Sequence, residues 1–468
     1  MSFVIYDLET TGLEPQWNVP LQAAAIHTDV DLRPLGELSL RCRLPAHIVP
    51  SPGALMTTGI RPEQLEQAPL SSTEMLGIIA RALEAWAPAT IIGYNTLRYD
   101  EEILRHAFFS HLMPPYATSL NGHRRADLLT MVRAVAMLEP GAITVPLNGM
   151  GKPSFRLGEL CRANGIALSE DEAHDAMADT KATLALFRHL RQVAPSTVTM
   201  MLALADKSVP NRMLASGDIM LLGGVSQLTP VVGVTPNPTV ATSWAAADLT
   251  IDPAEYLDLP AEEIVALFSR AGSKPIRTIK TNAQPILVAF EQGRHALAED
   301  QRDLALYNER AARIRDHAGF RANLATALAS RFADREPSPY HEATLYSCGF
   351  ISNDDARACT RWHASPWTDR PAIAAGFSDE RLKAFANRLM LLEAPQSLSA
   401  IAWQKGQGWL RERLTAEADV PWLTLPKALG EVATLRQTLP AGDADRHALL
   451  DTIERWLEER DRFFALAA

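Results

Sequence analysis

Residues 3–12 of this 468-residue chain read FVIYDLETTG, an apolar run that ends in two carboxylates and a turn. Four consecutive large apolar residues are typical of a buried strand. Side chains two apart in a strand project from the same face, so Asp7 and Glu9 are predicted to point together while Leu8 faces the other layer. The TTG turn follows at a strand end, where substrates usually approach open α/β sheets. Taken alone, the two carboxylates are equally consistent with solvated strand-end charges.

A second acidic position follows another apolar run. Residues 90–95, TIIGYN, indicate a buried strand, and Asp100, Glu101 and Glu102 come at a predicted helix start. One interpretation places Asp100 beside the first two carboxylates. The alternative is that Asp100 is an N-cap and the two glutamates complement the helix dipole.

The third acidic position comes with a histidine, in residues 174–179, HDAMAD. Five residues of continuous α-helix rotate side chains apart by about 140°, so His174 and Asp179 would not share a helix face. They converge if Asp179 lies in the helix and His174 in the segment that leads into it. Taken alone, this histidine is equally consistent with a structural or solvent-exposed side chain.

Together the three segments predict a metal site. Two unit charges 4 Å apart repel by about 4 kcal/mol at an effective dielectric of 20, so clustered carboxylates need cations or protons. Oxygen ligands favour Mg²⁺ or Mn²⁺ over zinc. With two such ions, Asp7, Glu9, Asp100 and Asp179 would suit hydrolysis of a phosphodiester.

Composition restricts the class of protein. Hydrophobic residues make up 47% and charged residues 21%, as in ordinary globular proteins, and the formal net charge is −10. This charge argues weakly against a nucleic-acid partner, although a local basic groove is compatible with it. The N-terminus lacks the features of an export signal, and no apolar run approaches the roughly 20 residues that cross a bilayer. Four dispersed cysteines without metal-ligand spacing favour reduced thiols in the cytoplasm.

Apolar periodicity predicts an α/β region first. The predicted strands are 3–8, 22–28, 38–44 and 90–94, and the predicted helices are 73–86, 100–112, 126–138 and 175–193. After Pro195 the helical signal weakens, and residues 219–290 favour a mostly β domain. Domain boundaries are predicted at Pro195 and Pro337, with a helical remainder.

The segments DLETTG, NTLRYDEE and HDAMADTKAT resemble the three motifs of the DEDDh exonuclease superfamily. The wider sequence resembles the bacterial exodeoxyribonuclease I family, as shown by PGALMTTGIRP, RADLLTMVRA, PSFRLGELCRANGI and ATLYSCGF. This resemblance implies an RNase H-like exonuclease domain over 1–195, an SH3-like, mostly β, DNA-binding domain over 196–337 and a C-terminal helical domain over 338–468. The three domains would together encircle single-stranded DNA.

The resemblance also implies residue roles in a 3′→5′ exonuclease of DNA repair that releases 5′-mononucleotides. Asp7, Glu9 and Asp179 would hold the metal that bears the attacking water, and Asp7 and Asp100 would contact a second metal near the leaving oxygen. Both ions would be Mg²⁺, for which Mn²⁺ could substitute. His174 would remove a proton from water, a role that suits its unperturbed pKa of about 6.5.

DNA contacts are predicted at basic and aromatic positions of the first two domains. Each of these residues is equally consistent with an ordinary solvated charge or a core aromatic side chain. The predicted substrate-binding residues are Arg125, Arg133, Arg156, Lys207, Arg212, Trp244 and Lys280, with Arg270, Lys274 and Arg277 as further basic positions. Leu55 and Met56 are interpreted as core residues or as a wedge against the terminal base.

Two departures from the family pattern stand out. The β domain is predicted to be shortened around 233–250, and His174 lies two residues further from the PSFR segment than the family pattern predicts. An exoribonuclease of the same superfamily and a non-catalytic DNA-binding adaptor stay open as alternatives. The expected partners are 3′ ends of single-stranded DNA and a single-stranded-DNA-binding protein, with a monomeric chain and no membrane.

Overall fold

The computed structural model of the chain describes residues 2–167, 175–331 and 336–466. A mixed five-stranded sheet with helices comes first, an antiparallel five-stranded sheet second and a helical region third. This order confirms the predicted succession of an α/β, a β and a helical part.

The first region surrounds a sheet with the order β3-β2-β1-β4-β5. Strand β1 is antiparallel to β2 and parallel to β4. The elements are β1 (Ser2–Thr10), β2 (Pro20–Thr28), β3 (Pro34–Arg41), α1 (Pro52–Thr58), α2 (Pro62–Gln67), α3 (Ser72–Ala85), β4 (Ala89–Gly93), α4 (Asp100–Ser110), β5 (Arg124–Asp127), α5 (Leu128–Leu138), α6 (Leu157–Ala163) and α7 (Ala176–Val193).

Strand β1 is covered on both faces, and its alternation assigns each side chain to one of them. Val4 belongs to the core formed with α3 and α4. Phe3 and Ile5 belong to the core formed with α5 and α7, where the ring centroids of Phe3 and Phe187 lie 5.3 Å apart. Asp7 and Glu9 continue the odd-numbered series, so the period of two directs them to the side of α7.

Strand β3 begins and ends earlier than the predicted range of 38–44. The chain reverses between β2 and β3 in a tight turn, where Asp29 Oδ1 accepts hydrogen bonds from the backbone N–H groups of Asp31 and Arg33 (2.9 and 2.8 Å). Pairing therefore starts at Pro34, opposite Thr28. The prediction was wrong by about four residues because it did not include this turn.

The second region contains a sheet with the order β10-β6-β7-β8-β9, in which every neighbouring pair is antiparallel. Its elements are α8 (Pro195–Leu204), α9 (Ser208–Ala215), β6 (Ile219–Gly223), β7 (Leu228–Pro236), β8 (Ser243–Asp248), α10 (Ala261–Leu267), β9 (Ile276–Lys280), β10 (Leu287–Ala289), α11 (Phe290–Gly293), α12 (Leu304–Asp316) and α13 (Ala318–Ser330).

Helical structure continues past Pro195, where the sequence indicated that it weakens. Pro195 occupies the first turn of α8, a position that tolerates proline because the first N–H groups of a helix have no intrahelical partner. Val198 and Met201 of α8 share a core with Val132 of α5 and Val231 of β7. The first and second regions are therefore packed on each other.

The third region consists of α14 (Asn353–Ala364), α15 (Arg370–Ala375), α16 (Glu380–Glu393), α17 (Ala400–Thr415), α18 (Leu425–Thr438) and α19 (Ala444–Leu466). One core joins Phe109 of α4 to Trp362 and Phe385. A second core joins Leu55 and Met56 of α1 to residues of α17, α18 and α19. Leu55 and Met56 are thus buried core residues. In the part of the chain that the structure describes, no helix combines the length and apolar character needed to span a membrane.

Candidate active site

Asp7 and Glu9 lie at the end of β1, as the strand period predicted. The pairing of β1 with β2 is regular until Glu9, which lies opposite Gln22, and is interrupted before Thr10, which lies opposite Pro20. Such an irregularity near a strand end re-aims the neighbouring side chains. Both carboxylates are half-buried, so they are partly desolvated but open to a ligand.

Asp179 reaches the same place from the first turn of α7. Oxygen atoms of Asp7, Glu9 and Asp179 all lie within 4.8 Å of one another. Asp175 caps α7 by accepting hydrogen bonds from the backbone N–H groups of Met177 and Ala178. The helix therefore begins at Ala176 and places Asp179 in its first turn, as the interpretation of the third motif required for Asp179.

The start of α7 is fixed to the sheet by two side chains. Gln22 Nε2 and Arg41 Nη2 both donate to Asp175 Oδ2, at 2.7 and 2.8 Å. Gln22 and Arg41 are opposite each other in β2 and β3, and Gln22 is also opposite Glu9. Glu9, Gln22 and Arg41 thus form one row across β1, β2 and β3, and this row is bonded to the start of α7. The sequence motifs did not indicate this role of Gln22 and Arg41.

Asp100 begins α4 and lies outside the compact group of three, but its charge acts on Asp7 and Glu9. Its position depends on the loop after β4. Asp127 accepts hydrogen bonds from the backbone N–H groups of Asn95 and Leu97 (3.0 and 3.1 Å) and also caps α5. The predicted alternative, Asp100 as an N-cap, is wrong, because Tyr99 occupies the cap position.

The acidic cluster raises the pKa values of its own members. Desolvation, and then the charges of Asp179, Asp100 and Asp175, raise the pKa of Glu9 to about 8. Desolvation and the neighbouring carboxylates also raise the pKa of Asp7 well above its usual range. Desolvation raises the pKa of Asp100 to about 7. The carboxylates destabilise one another's charged forms, which is the condition that a bound divalent cation would relieve.

These residues fit a divalent metal. The donor set consists of carboxylate oxygens, which suit Mg²⁺ or Mn²⁺, and it contains no thiolate that would favour zinc. His174, the predicted proton acceptor, lies outside the described residues, so its role stays a prediction.

Three arginines of the first region were predicted to contact substrate. Arg125 is 12% exposed and its guanidinium lies 3.0 Å from the buried Glu101 carboxylate. Arg133 lies over the Phe155 ring at 5.4 Å and is half-buried. Arg156 is 84% exposed, with Glu159 at 3.5 Å. Arg156 is the most accessible of the three to a phosphate.

The predicted DNA contacts of the second region are mostly exposed. Lys207, Arg212 and Lys280 are exposed, and Trp244 is half-buried. Trp244 Nε1 donates to Asn211 Oδ1 at 3.0 Å, and Ser243, beside it, lies opposite Lys280. Among the further basic positions, Arg277 is paired with Asp248 at 2.8 Å and Arg270 lies 3.7 Å from Glu255, whereas Lys274 is half-buried.

A mixed sheet with this strand order, whose central strand and packed helix bring carboxylates together, defines an exonuclease of the RNase H-like fold. The family model for exonucleases matches residues 4–187, and the model for the exonuclease I C-terminal domain matches residues 340–460. The chain belongs to the exodeoxyribonuclease I family. It is therefore a nuclease, from a family that depends on divalent metal.

Relatives support this assignment over most of the chain. Exodeoxyribonuclease I of Haemophilus influenzae is 31% identical over 407 residues, which cover 81% of this chain and 84% of the relative. The Escherichia coli protein is 28% identical, and the match covers 98% of each chain.

Solved structures of exonuclease I share the fold of this chain. E. coli exonuclease I in complex with a dA16 oligonucleotide matches with a TM-score of 0.88 and 26% identity, covering 98% of this chain and 99% of that one. A moderately thermophilic exonuclease I from Methylocaldum szegediense matches with a TM-score of 0.87, 26% identity and the same coverage.

Proposed function

We propose that this chain degrades single-stranded DNA from the 3′ end and releases 5′-mononucleotides, in DNA repair and recombination. The observation that carries the proposal is the convergence of Asp7, Glu9 and Asp179 oxygens within 4.8 Å, with Asp100 close enough to influence their ionisation. Exodeoxyribonuclease I relatives and the oligonucleotide complex of the E. coli protein support single-stranded DNA as the substrate.

The proposed roles follow from the positions of the four carboxylates. Asp7, Glu9 and Asp179 would hold the ion beside the attacking water, and Asp7 and Asp100 would hold a second ion beside the leaving 3′ oxygen. Two Mg²⁺ ions, when bound, would stabilise the charge that develops in an in-line displacement at phosphorus. His174 would accept the proton of the water as its oxygen bonds to phosphorus and the bond from phosphorus to the 3′ oxygen breaks.

We further propose a division of labour among three domains, 1–195, 196–337 and 338–468. The first carries the chemistry. The second would guide the DNA strand through the exposed cations Lys207, Arg212 and Lys280, which bind phosphates without selecting sequence. Trp244, whose indole N–H donates to Asn211 of α9, would stack a base. Arg156 would contact phosphate near the nuclease centre, and Arg125 and Arg133 are the less accessible candidates.

A single-stranded-DNA-binding protein is the partner that we propose, since it would coat the substrate. We propose that the chain acts as a monomer in the cytoplasm, where the four free cysteines would stay reduced.

The decisive experiment uses single strands labelled at the 5′ end, as DNA and as RNA of matched sequence. With Mg²⁺, the purified chain is expected to shorten the DNA progressively and the RNA more slowly. Asp179→Ala is expected to stop cleavage and leave DNA binding within about twofold, because metal ligands act mainly on the chemical step. His174→Ala is expected to lower kcat by about 10²-fold or more.

Each contrary result identifies a different function. Faster cleavage of RNA would identify an exoribonuclease. Binding of uncut DNA by the unmodified chain would identify an adaptor without nuclease activity and overturn the proposal.

A further inference from the structure

The end of β1 is held by contacts that do not belong to the strand ladder. After the irregularity at Thr10, the buried Thr11 anchors the chain. Its N–H donates to Val19 O and its hydroxyl oxygen accepts from Val19 N, both at 3.0 Å. The hydroxyl also donates to Asn18 Oδ1 at 2.9 Å. Because Thr11 lies two residues after Glu9, whatever fixes Thr11 also limits where the Glu9 carboxylate can point.

Helix α18 of the third region reaches Thr11 through one intermediate residue. Ser51 N–H donates to Thr11 O at 2.8 Å. The Ser51 hydroxyl and the Gly53 N–H both donate to Glu431 Oε1, at 2.7 and 3.0 Å. Glu431 thus lies more than 400 residues after Thr11 in the sequence, but only Ser51 stands between the two residues in space.

The loop between β1 and β2 also enters an aromatic cluster formed by Trp17, Tyr340 and Trp422. The Trp17 ring lies 5.7 Å from Tyr340 and 5.5 Å from Trp422, and those two rings are 5.0 Å apart. The Arg413 guanidinium lies 3.9 Å from the centroid of Trp422 and 5.3 Å from that of Trp17. Such cation–π contacts are stronger when desolvated, and Arg413 is 5% exposed.

The Arg413 side chain is itself held by an ion pair with Glu342. The Glu342 carboxylate lies 3.4 Å from Arg413 and 2.7 Å from Arg388, and both arginines are buried. A buried carboxylate between two guanidiniums tolerates little displacement, because separating the ions leaves uncompensated charge. The aromatic cluster therefore gives the loop a rigid support.

We propose that Glu431 and the Trp17–Tyr340–Trp422 cluster are positioning elements, through which the C-terminal helical region fixes the end of β1 and keeps Glu9 aligned with Asp7 and Asp179 for metal. The inference rests on the proposed function in assigning these carboxylates to metal. Metal ligands need placement to within about 0.5 Å, so a loosened strand end would weaken metal affinity before it altered DNA binding.

The primary variant is Glu431→Ala, with Glu431→Gln as the conservative form that keeps an acceptor oxygen. The matched control is Glu66→Ala, because Glu66 accepts a hydrogen bond from Trp456 Nε1 at 2.8 Å across the same pair of regions but away from Thr11. Trp17→Ala tests the aromatic cluster from the loop side and serves if Glu431→Ala folds poorly. Mn²⁺ binding without DNA would be measured by electron paramagnetic resonance, together with kcat, KM and the unfolding temperature.

Glu431→Ala is expected to weaken Mn²⁺ binding and lower kcat by about tenfold, as for other residues that orient metal ligands, with KM for DNA within about twofold. Glu431→Gln is expected to recover most of both losses. Glu66→Ala is expected to lower the unfolding temperature without changing Mn²⁺ affinity.

The inference would be overturned if Glu431→Ala and Trp17→Ala changed Mn²⁺ affinity no more than Glu66→Ala does, or if they raised KM alone. An unmodified chain that binds Mn²⁺ but does not cut DNA would refute the proposed function. The comparison of Mn²⁺ affinities would still decide the positioning inference in that case.

Discussion

Asp100 and Glu101 are neighbours in the sequence, yet their carboxylates belong to opposite kinds of environment. Glu101 is 1% exposed and accepts hydrogen bonds from Arg105, Arg125 and Thr118, at 3.0, 3.0 and 2.5 Å. Asp100 lies near Asp7 and Glu9, where the largest charge effects come from other carboxylates.

The difference shows how a structural acid can be separated from a functional one. A buried carboxylate that only stabilises the fold is accompanied by its own cations, since burying an unpaired charge is costly. At the end of β1 the carboxylates instead raise one another's pKa values, an environment that a divalent cation from solution would stabilise. Substitutions in the acidic cluster should therefore reduce activity more than stability, and substitutions at Glu101 should reduce stability more than activity.

The largest effect is expected for Asp7→Asn, because Asp7 is assigned to both metal positions. Removing its charge should forfeit several kcal/mol of transition-state stabilisation, or about 10³-fold or more in kcat. Its unfolding temperature without metal should not fall, because desolvation and the neighbouring carboxylates raise the pKa of Asp7 and so favour its neutral form, which the amide imitates. Steady-state cleavage and thermal unfolding in a chelator measure the two quantities, with the exposed Asp218→Asn as the control. A clear loss of stability would show that Asp7 is a structural acid like Glu101.

Glu101→Gln is expected to reduce stability rather than activity. It leaves Arg105 and Arg125 beside a neutral amide in a buried site, so the free energy of unfolding should fall by about 3 kcal/mol. Cleavage below the unfolding transition should fall less than tenfold. Glu102→Gln, at a position 28% exposed and also paired with Arg105, is the control and should cost about 1 kcal/mol or less. Equal losses for the two variants in urea unfolding would contradict the assigned difference.

A smaller effect is expected in the pH dependence of the metal-free chain. Glu9 and Asp100 have pKa values of about 8 and about 7 when folded, above their ordinary values, so the folded chain holds protons that the unfolded chain has lost. This stabilising contribution is fully present below the unfolded pKa of about 4, is lost progressively between about pH 4 and 8 and is gone above about 8. The unfolding temperature in a chelator should therefore fall over that window.

Glu9→Gln should reduce this fall, and so should saturating Mg²⁺, which replaces the protons. Glu263→Gln, an exposed glutamate of α10, provides the control and should leave the pH profile unchanged. A profile that rises through the same window in the unmodified chain would contradict the raised pKa values.

The smallest effect is expected for the exposed cations Lys207, Arg212 and Lys280, which are proposed to bind DNA phosphates. Lys280→Ala should raise KM severalfold, leave kcat unchanged and reduce the slope of log affinity against log salt by about one, as expected for one lost phosphate contact. Lys405→Ala, an exposed lysine of α17, is the control. Identical salt slopes for the two variants would show that Lys280 does not contact a DNA phosphate.

The sequence was informative where one local rule decided the outcome. The period of two in FVIYDLE aligned Asp7 with Glu9, and the helical pattern after position 175 placed Asp179 in α7. It was less informative at turns and at prolines. The prediction of β3 missed the turn at Asp29, and the helical signal was interpreted as weakening after Pro195 although this proline begins another helix.

The sequence by itself determined the kind of chemistry, because carboxylate spacing within a strand or a helix turn is fixed by backbone geometry that every chain shares. Tertiary structure alone decided which acids cluster with one another and which are neutralised by arginine. Glu101 is paired with Arg125 of β5, whereas Asp179 of α7 lies beside Asp7 of β1. Glu431 of α18 binds Ser51, which in turn binds Thr11 at the end of β1. Such encounters depend on how separate elements pack, and no short stretch of sequence encodes the distance between them.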